Sequence, residues 1–130
     1  MYYRYDLFGR KIAEWGTAIQ PASFAYDNAG RMMALTTYRT SDGDISTDPA
    51  DRTDGDTTTW SYHDATGLET LKTFADGSHI DKSYNAFNQA STETNARGIV
   101  KTCTYDIKRG LLTGVSFSDG TPGQTIVYNH

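Results

Sequence analysis

Six aspartates in one short segment are the residues of this sequence best suited to chemistry. The segment runs from 39 to 58, and clustered carboxylates of this kind are the ligands that calcium prefers. An EF-hand loop counted from Asp42 would need Gly and Glu where Thr47 and Thr53 stand. We therefore interpret segment 39–58 as a solvated polar insert and predict no metal site in the chain. The aspartates are Asp42, Asp44, Asp48, Asp51, Asp54 and Asp56.

A second set of reactive side chains consists of three histidines and one cysteine. His63, His79 and His130 lie in unrelated contexts, and none has the spacing to another His or to Cys103 that a zinc site needs. A Cys–His nucleophile pair stays open at this point, because such partners meet only in the folded chain. The sequence carries no phosphate-binding glycine loop and no nucleophile elbow. We predict that the protein is not an enzyme and binds no cofactor.

The charge pattern argues against two classes of partner. The 130 residues carry a net charge of −4, which the insert already supplies through its six aspartates, Arg39 and Arg52. The rest of the chain is neutral and offers no basic stripe, so we predict no nucleic-acid binding. No apolar run is long enough to span a membrane, and the N-terminus lacks the apolar region of a signal peptide. If the protein is exported, we expect its signal to lie outside this chain.

A recurring tyrosine indicates an internal repeat that positions all these groups. Six tyrosines follow one another at intervals of 21, 36, 22, 21 and 23 residues. The long interval contains the acidic insert, and removing about fifteen residues there restores the period. We predict one continuous repeat domain, with repeats 1–2 in residues 1–38, the insert in 39–58 and repeats 3–6 in 59–130. The tyrosines are Tyr5, Tyr26, Tyr62, Tyr84, Tyr105 and Tyr128.

A short turn signature begins at each tyrosine that is followed by enough residues to form one. Residues 5–10 and 26–31 share the pattern Y-D-x-x-G-R, and Asn88 replaces the glycine in the copy at Tyr84. Gly and Asn best tolerate the left-handed conformation that such a turn needs. A second turn, at Gly77, Gly98 and Gly120, follows ten residues later in three repeats. Beside the tyrosines, the signature comprises Asp6, Gly9, Arg10, Asp27, Gly30, Arg31, Gly67, Asn88, Asp106 and Gly110.

Alternation within the strands indicates a sheet with one apolar face. Residues two apart lie on the same face of a strand, and the residue two before each tyrosine is apolar in most repeats, as at Phe24 and Trp60. We predict an all-β fold, an antiparallel meander of repeated β-hairpins. Its tyrosines would form a packing ladder whose hydroxyls reach the surface or a turn carbonyl. Cys103 shares the repeat position of Trp60 and is most simply a small core residue.

The signature, repeated at a spacing of about 21 residues with Asp-Gly turns between, resembles the YD repeat of the RHS (rearrangement hot spot) family. The resemblance covers nearly the whole chain except residues 39–58. It implies an open segment of a larger spiralling shell, which in bacterial members encloses or displays a C-terminal toxic domain. The implied partners are further YD repeats and the C-terminal domain of the parent chain. The implied location is secreted or on the bacterial cell surface.

Two departures from the family pattern limit what the resemblance implies. Six repeats are too few to close a shell. The D-P-x-G-type core segment, which supports self-cleavage in many members, has no counterpart, because the one Asp-Pro pair, Asp48-Pro49, is followed by Ala50 and Asp51. We therefore expect the chain to be a piece of a longer protein without that cleavage activity.

An autonomous module that binds a glycan or a protein is the alternative function. Trp15 and Tyr38 fall outside the tyrosine ladder and are the candidate ligand contacts, although local packing explains them as well. Strands near 3–6 and 124–128 would be the edges of the sheet, and unpaired edges are templates for other chains. We therefore expect the isolated chain to self-associate.

Overall fold

The computed structural model describes residues 1–17, 19–39 and 48–128. Within them lie eleven β-strands and one 3-10 helix, Pro49–Asp51. The strands are β1 (Tyr2–Tyr5), β2 (Lys11–Trp15), β3 (Ala22–Tyr26), β4 (Met32–Tyr38), β5 (Gly55–Tyr62), β6 (Glu69–Thr73), β7 (His79–Tyr84), β8 (Ala90–Thr94), β9 (Val100–Tyr105), β10 (Leu112–Phe117) and β11 (Gln124–Thr125).

The chain divides into two compact units, and each is an antiparallel meander. The first contains Met1–Trp60 with Phe74–Asp76, and its strands follow chain order from β1 to β5. The second contains Ser61–Thr73 with Gly77–His130, and its strands follow chain order from β6 to β11. Every strand pair with a described register is antiparallel. The predicted all-β meander of hairpins is confirmed.

A β-bulge recurs where a strand meets its signature tyrosine. Between β1 and β2 the register steps from Arg4↔Ala13 to Tyr5↔Lys11, which leaves Ile12 without a cross-strand partner. The hairpins β3–β4, β7–β8 and β9–β10 shift register at the same place in the repeat. A bulge bends the strand and increases its twist. The repeat is therefore a unit of backbone geometry as well as a pattern of residues.

Side-chain exposure follows the predicted alternation in most repeats. In β9, Cys103 and Tyr105 are half-buried, while Thr104 between them is exposed. Strand β1 is the exception, since Tyr3 and Tyr5 are 46% and 57% exposed. The described residues thus form sheets with one half-covered face and no deep apolar interior in the second unit.

The deepest burial among the described residues surrounds the 3-10 helix of the first unit, which packs against β2 and β3. Pro21 and Pro49 have the largest fully buried side chains, and the buried apolar residues are Ala13, Ala22 and Tyr38. The segment that the sequence marks as polar thus contributes to the core of this unit.

The insert is only partly a solvated loop. Asp48 caps the 3-10 helix by accepting a hydrogen bond from the Ala50 N–H, and it pairs with Arg4 at 3.0 Å. Strand β5 then begins at Gly55. The cap and the buried Pro49 anchor residues 48–58 to the sheet, while Ala50, Asp51, Thr53, Asp54 and Asp56 stay exposed. Residues 40–47, which include Asp42 and Asp44, lie outside the described residues, as does His130.

Candidate functional site

The residue after each signature tyrosine holds its turn together. Asp6 Oδ1 accepts hydrogen bonds from the backbone N–H groups of Phe8 and Arg10, at 2.9 and 3.0 Å. Asp6 Oδ2 accepts a third from Arg10 Nε at 2.7 Å. The Asp6 N–H donates to the Arg10 carbonyl, and the Gly9 N–H donates to the Asp6 carbonyl. One carboxylate thus fixes both the turn and the arginine side chain.

Asp27 repeats this arrangement in the second turn. Its Oδ1 accepts from the N–H groups of Ala29 and Arg31, both at 2.9 Å, and its Oδ2 accepts from Arg31 Nε at 2.7 Å. Gly9 and Gly30 have φ of +78° and +85°, where a side chain would strain the backbone. The Y-D-x-x-G-R pattern therefore encodes an Asx turn, a left-handed residue and an ion pair across them.

The turn after Tyr84 keeps this geometry without charge. Asn85 Oδ1 accepts from the N–H groups of Phe87 and Gln89. Asn85 Nδ2 donates to Gln89 Oε1 at 2.9 Å, so a neutral amide pair replaces the ion pair. Asn88 has a φ of +61°, the left-handed conformation that the sequence predicts for it.

The remaining predicted turn residues occupy equivalent places. Asp106 accepts from the N–H groups of Lys108 and Arg109, and it pairs with Arg109 at 3.2 Å. Left-handed φ angles also occur at Gly67, Gly77, Gly98, Gly110 and Gly120.

Sequence reasoning missed one turn residue of this kind. Asn95 Oδ1 accepts from the N–H groups of Arg97 and Ile99, at 2.9 and 3.1 Å. Asn95 lies three positions before Gly98, the spacing of Asp6 and Gly9, and that spacing could have identified it. The second turn of this repeat is thus built like the first.

Hydrogen bonds lower the pKa of the turn carboxylates. For Asp27 the N–H of Arg31 lowers the pKa of the carboxyl, partial burial opposes this, and the Arg31 guanidinium lowers the pKa further. The N–H groups of Lys108 and Arg109 likewise lower the pKa of Asp106. The ionised form is therefore favoured in the folded chain relative to the unfolded chain.

The melting temperature is expected to fall in acid. The pKa values of the turn carboxylates are lower in the folded chain than in the unfolded chain. The ionised carboxylates therefore stabilise the fold at pH values above the unfolded pKa, and this stabilisation is lost as the pH falls through the folded pKa. Differential scanning calorimetry should give a level melting temperature above about pH 5 and a decline below about pH 4. Asp27→Asn should make that decline shallower. An equally steep decline in this variant would contradict the role of the Asp27 carboxylate.

Four of the signature tyrosine hydroxyls join their repeat to the one before it. Each of the four donates to a backbone carbonyl on the first residue of the preceding repeat's second strand, so the predicted carbonyl contact is found at the point where a turn ends. The bonds run from Tyr26 to Lys11 at 3.0 Å, from Tyr84 to Glu69 at 2.7 Å, from Tyr105 to Ala90 at 2.6 Å and from Tyr128 to Leu112 at 2.7 Å.

Removing one of these hydroxyls is expected to weaken the second unit. Tyr84→Phe and Tyr105→Phe should each lower the free energy of unfolding by about 1 kcal/mol, because a hydrogen bond to a carbonyl is lost. Tyr5→Phe is the matched control, since no hydrogen bond of its hydroxyl is found among the described residues, and it should change little. Urea unfolding measures all three, and an equal effect of Tyr5→Phe would contradict the assignment.

The last side chain of a turn reaches toward the next repeat. The guanidinium of Arg10 lies 4.8 Å from the ring centre of Tyr26, and its Nη1 donates to the Asp27 carbonyl at 3.4 Å. Gln89 Nε2 donates to the Gly110 carbonyl at 2.6 Å. Successive repeats are therefore joined by side chains in both directions along the chain.

The two candidate ligand contacts are not brought together into a site. Tyr38 is 7% exposed, and its hydroxyl lies 3.1 Å from Ser23 Oγ. Trp15 is half-buried and stacks on Tyr2 with ring centres 5.6 Å apart. Local packing accounts for both residues, and a ligand contact at either of them stays a prediction.

Sequence reasoning missed Arg52, a charged residue that packs inside the first unit. Its side chain is 9% exposed, pairs with Asp54 at 2.5 Å and lies 5.6 Å from the Tyr38 ring centre. Its Nη2 also donates to the Arg39 carbonyl at 2.5 Å. The side-chain hydrogen bond from Arg52 lowers the pKa of Asp54, against a smaller opposing effect of burial. Nothing in the composition of the insert separates Arg52 from a solvated arginine.

Cysteine, histidine and acidic side chains are the other reactive groups of the chain. Cys103 is half-buried in β9 as a free thiol. Within residues 1–17, 19–39 and 48–128, no group of three His, Cys, Asp or Glu side chains is close enough to hold a metal ion. No helix in this part of the chain is long and apolar enough to cross a membrane.

The fold and these contacts define a class, an array of β-hairpin repeats joined through tyrosine hydroxyls and turn side chains. The crystal structure of TcdB2-TccC3-Cdc42 has the same fold: the likeness covers 95% of this chain with a TM-score of 0.66 and 16% identity. At that identity the likeness shows the fold alone. The crystal structure of TcdB2-TccC3 without its hypervariable C-terminal region is similar over 95% of the chain, with a TM-score of 0.44 and 12% identity.

The chain spans 7% of the TcdB2-TccC3-Cdc42 chain that it matches and 8% of the other. No protein-family model matches the sequence, and no curated protein matches it.

Proposed function

We propose that this chain is a non-catalytic structural segment of an RHS/YD-repeat shell that encloses or displays the C-terminal domain of an exported bacterial protein. The observation that carries the proposal is the set of contacts between repeats. Tyr105 bonds the carbonyl of Ala90 in the preceding repeat, and Gln89 bonds the carbonyl of Gly110 in the following one. A repeat built in this way makes its full set of hydrogen bonds only when another repeat lies on each side of it, as in other repeat arrays.

The comparison with known structures supports the same role. The fold of TcdB2-TccC3-Cdc42 is shared by this chain, which matches 7% of that longer chain, as a segment of a larger repeat shell would. A sheet with one half-covered face suits the wall of such a shell, because neighbouring parts of the wall or its contents would cover that face. The proposed partners are accordingly further YD repeats and the enclosed domain.

The reading frame that encodes this chain tests the proposal directly. Many further Y-D-x-x-G-R units followed by a C-terminal domain would support it, whereas a frame limited to these six repeats would overturn it.

Limited proteolysis of the full-length product adds a functional test. The C-terminal domain should resist protease while the repeats are folded and become sensitive in denaturant at the concentration that unfolds them. A domain cleaved at the same rate in both conditions would count against enclosure.

Self-association of the isolated chain follows from the same proposal. Strand β1 is paired with β2 on one side, no strand pairs its other side within the described residues, and Tyr2 is 59% exposed. Light scattering should report dimers or larger assemblies. Ile126→Lys, next to β11, should shift them toward monomer if that edge or face is used, because a charged edge disfavours strand pairing. A clean monomer at high concentration would contradict the expectation.

A further inference from the structure

A cavity of about 430 Å³ in the second unit lies between two consecutive repeat turns. His63, Thr66 and Thr70 line it from one repeat, and Tyr84 and Asn85 line it from the next. Lys82 also lines it, and its ammonium group pairs with Glu69 at 2.9 Å, so the wall carries no unbalanced positive charge from this lysine. The cavity occupies the place where other repeats bring an arginine or glutamine side chain toward the next turn.

The turn after Tyr62 has the same backbone as the turn after Tyr105. The His63 N–H donates to the Leu68 carbonyl at 2.8 Å, and the Gly67 N–H donates to the His63 carbonyl at 2.8 Å. Both bonds recur at 2.8 Å in the later turn, from Asp106 to Leu111 and from Gly110 to Asp106. The two turns can therefore be compared residue by residue.

That comparison aligns Thr66 with Arg109 and His63 with Asp106. The Thr66 N–H donates to His63 Nδ1 at 3.3 Å, as the Arg109 N–H donates to Asp106 Oδ1 at 3.1 Å. The carboxylate and the arginine of the later turn are thus both replaced, while the hydrogen bond between the two positions is kept. What the earlier turn lacks is the guanidinium.

The other repeats show what the missing group would contact. Arg109 lies over the ring of Tyr128, 5.9 Å from its centre. Arg10 lies over Tyr26 and donates to the carbonyl of the residue after it. The equivalent ring and carbonyl beside the cavity belong to Tyr84 and Asn85. Within the described residues, no arginine or lysine is found stacked on the Tyr84 ring.

The comparable groove at the Arg10 turn is smaller. It measures about 320 Å³ and is lined by Phe8, Arg10 and Tyr26, among others. The arginine thus forms part of its wall, whereas the cavity at the Tyr62 turn has a threonine in that place.

We propose that this cavity binds the guanidinium group of an arginine side chain presented by a partner polypeptide. The planar cation stacks on the face of Tyr84, where a cation–π contact is favourable. Its N–H groups donate to the Asn85 carbonyl, which has a second lone pair beside the bond it accepts from the Asn88 N–H. The site thus takes from outside the group that Arg10 and Arg109 supply within the chain.

Titration of the full chain with the blocked peptide acetyl-Gly-Arg-Gly-amide, followed by two-dimensional NMR, tests the proposal. Amide signals of Thr66, Tyr84 and Asn85 should shift. The same peptide with citrulline, which has a neutral urea in place of the guanidinium, should bind about tenfold more weakly. Equal binding of the citrulline peptide, or no shift at these residues with either peptide, would overturn the proposal.

Variants locate the site. The double variant His63→Asp, Thr66→Arg supplies the missing arginine in cis, so the peptide-induced shifts should disappear. Lys101→Arg is the matched control, because it adds a guanidinium at an exposed position of β9 and should leave the shifts unchanged. If the double variant does not fold, the wild-type titration with arginine and citrulline peptides still tests whether the cavity binds a guanidinium.

Titration with free arginine distinguishes a polypeptide partner from the free amino acid. Tighter binding of the free amino acid than of the peptide would overturn a polypeptide partner.

Discussion

Replacing Gly55 by Ala is expected to lower the free energy of unfolding of the first unit by about 2–3 kcal/mol, because an added methyl group overpacks a site with no spare volume. A Cβ at Gly55 would lie 2.8 Å from Cε1 of Tyr38 and would also overlap the Cγ2 methyl of Thr36. Tyr38 is buried and held by its contact with Ser23, so it cannot move aside cheaply. Chemical denaturation with tryptophan fluorescence measures the loss.

Two further variants show whether the clash is the cause. Thr59→Ala lies on the same strand at an exposed position and should change the free energy of unfolding by less than about 1 kcal/mol. Gly55→Ala combined with Thr36→Ser removes the overlapping Cγ2 while keeping the hydroxyl that lies 2.8 Å from Thr57 Oγ1, and should recover part of the loss. Gly55→Ala with no greater effect than Thr59→Ala would contradict the packing argument.

The hairpins and their turns could be predicted because local chemistry determines them. A left-handed residue is needed at one position of each turn, and only Gly or Asn satisfies this at low cost. Their positions in the sequence therefore mark the turns directly, as Gly30 and Asn88 show. The carbonyl contact of the tyrosine hydroxyl was predictable for a similar reason, since a half-buried phenol needs an acceptor.

The packing of the insert could not be predicted, because composition reports polarity and not position. Residues 48–58 contain charged groups in a proportion that favours a solvated loop. In the structure Pro49 is fully buried, and Arg52 is 9% exposed beside Tyr38. Which charged side chain packs against which ring depends on how β4 and β5 pair, and that is a long-range property.

The contacts from one turn to the next could not be predicted from the sequence either. The signature shows an Asp and an Arg four residues apart, and the structure pairs them. The signature does not show that Arg10 also lies over Tyr26, because that contact depends on the twist and bulge between successive hairpins. For the same reason the vacant position beside Tyr84 becomes visible only when the turns are compared in space.

Replacing Asp27 by Ala is expected to destabilise the first unit, because the carboxylate holds its turn together. The substitution removes two hydrogen bonds to backbone N–H groups and the ion pair with Arg31. The N–H groups of Ala29 and Arg31 would then depend on water. Thermal unfolding should show a melting temperature lower by on the order of 5 °C.

Graded controls make this expectation specific to the carboxylate. Asp27→Asn keeps the amide oxygen that accepts both N–H groups, as Asn85 does in its own turn, so it should lose only the ionic contact and cost about 2 °C. Asn28→Ala changes an exposed neighbour in the same turn and should have almost no effect. The order of melting temperatures should therefore be wild type, Asn28→Ala, Asp27→Asn and Asp27→Ala from highest to lowest. If Asp27→Asn were as damaging as Asp27→Ala, the ion pair with Arg31 and not the Asx turn would be the main contribution of Asp27.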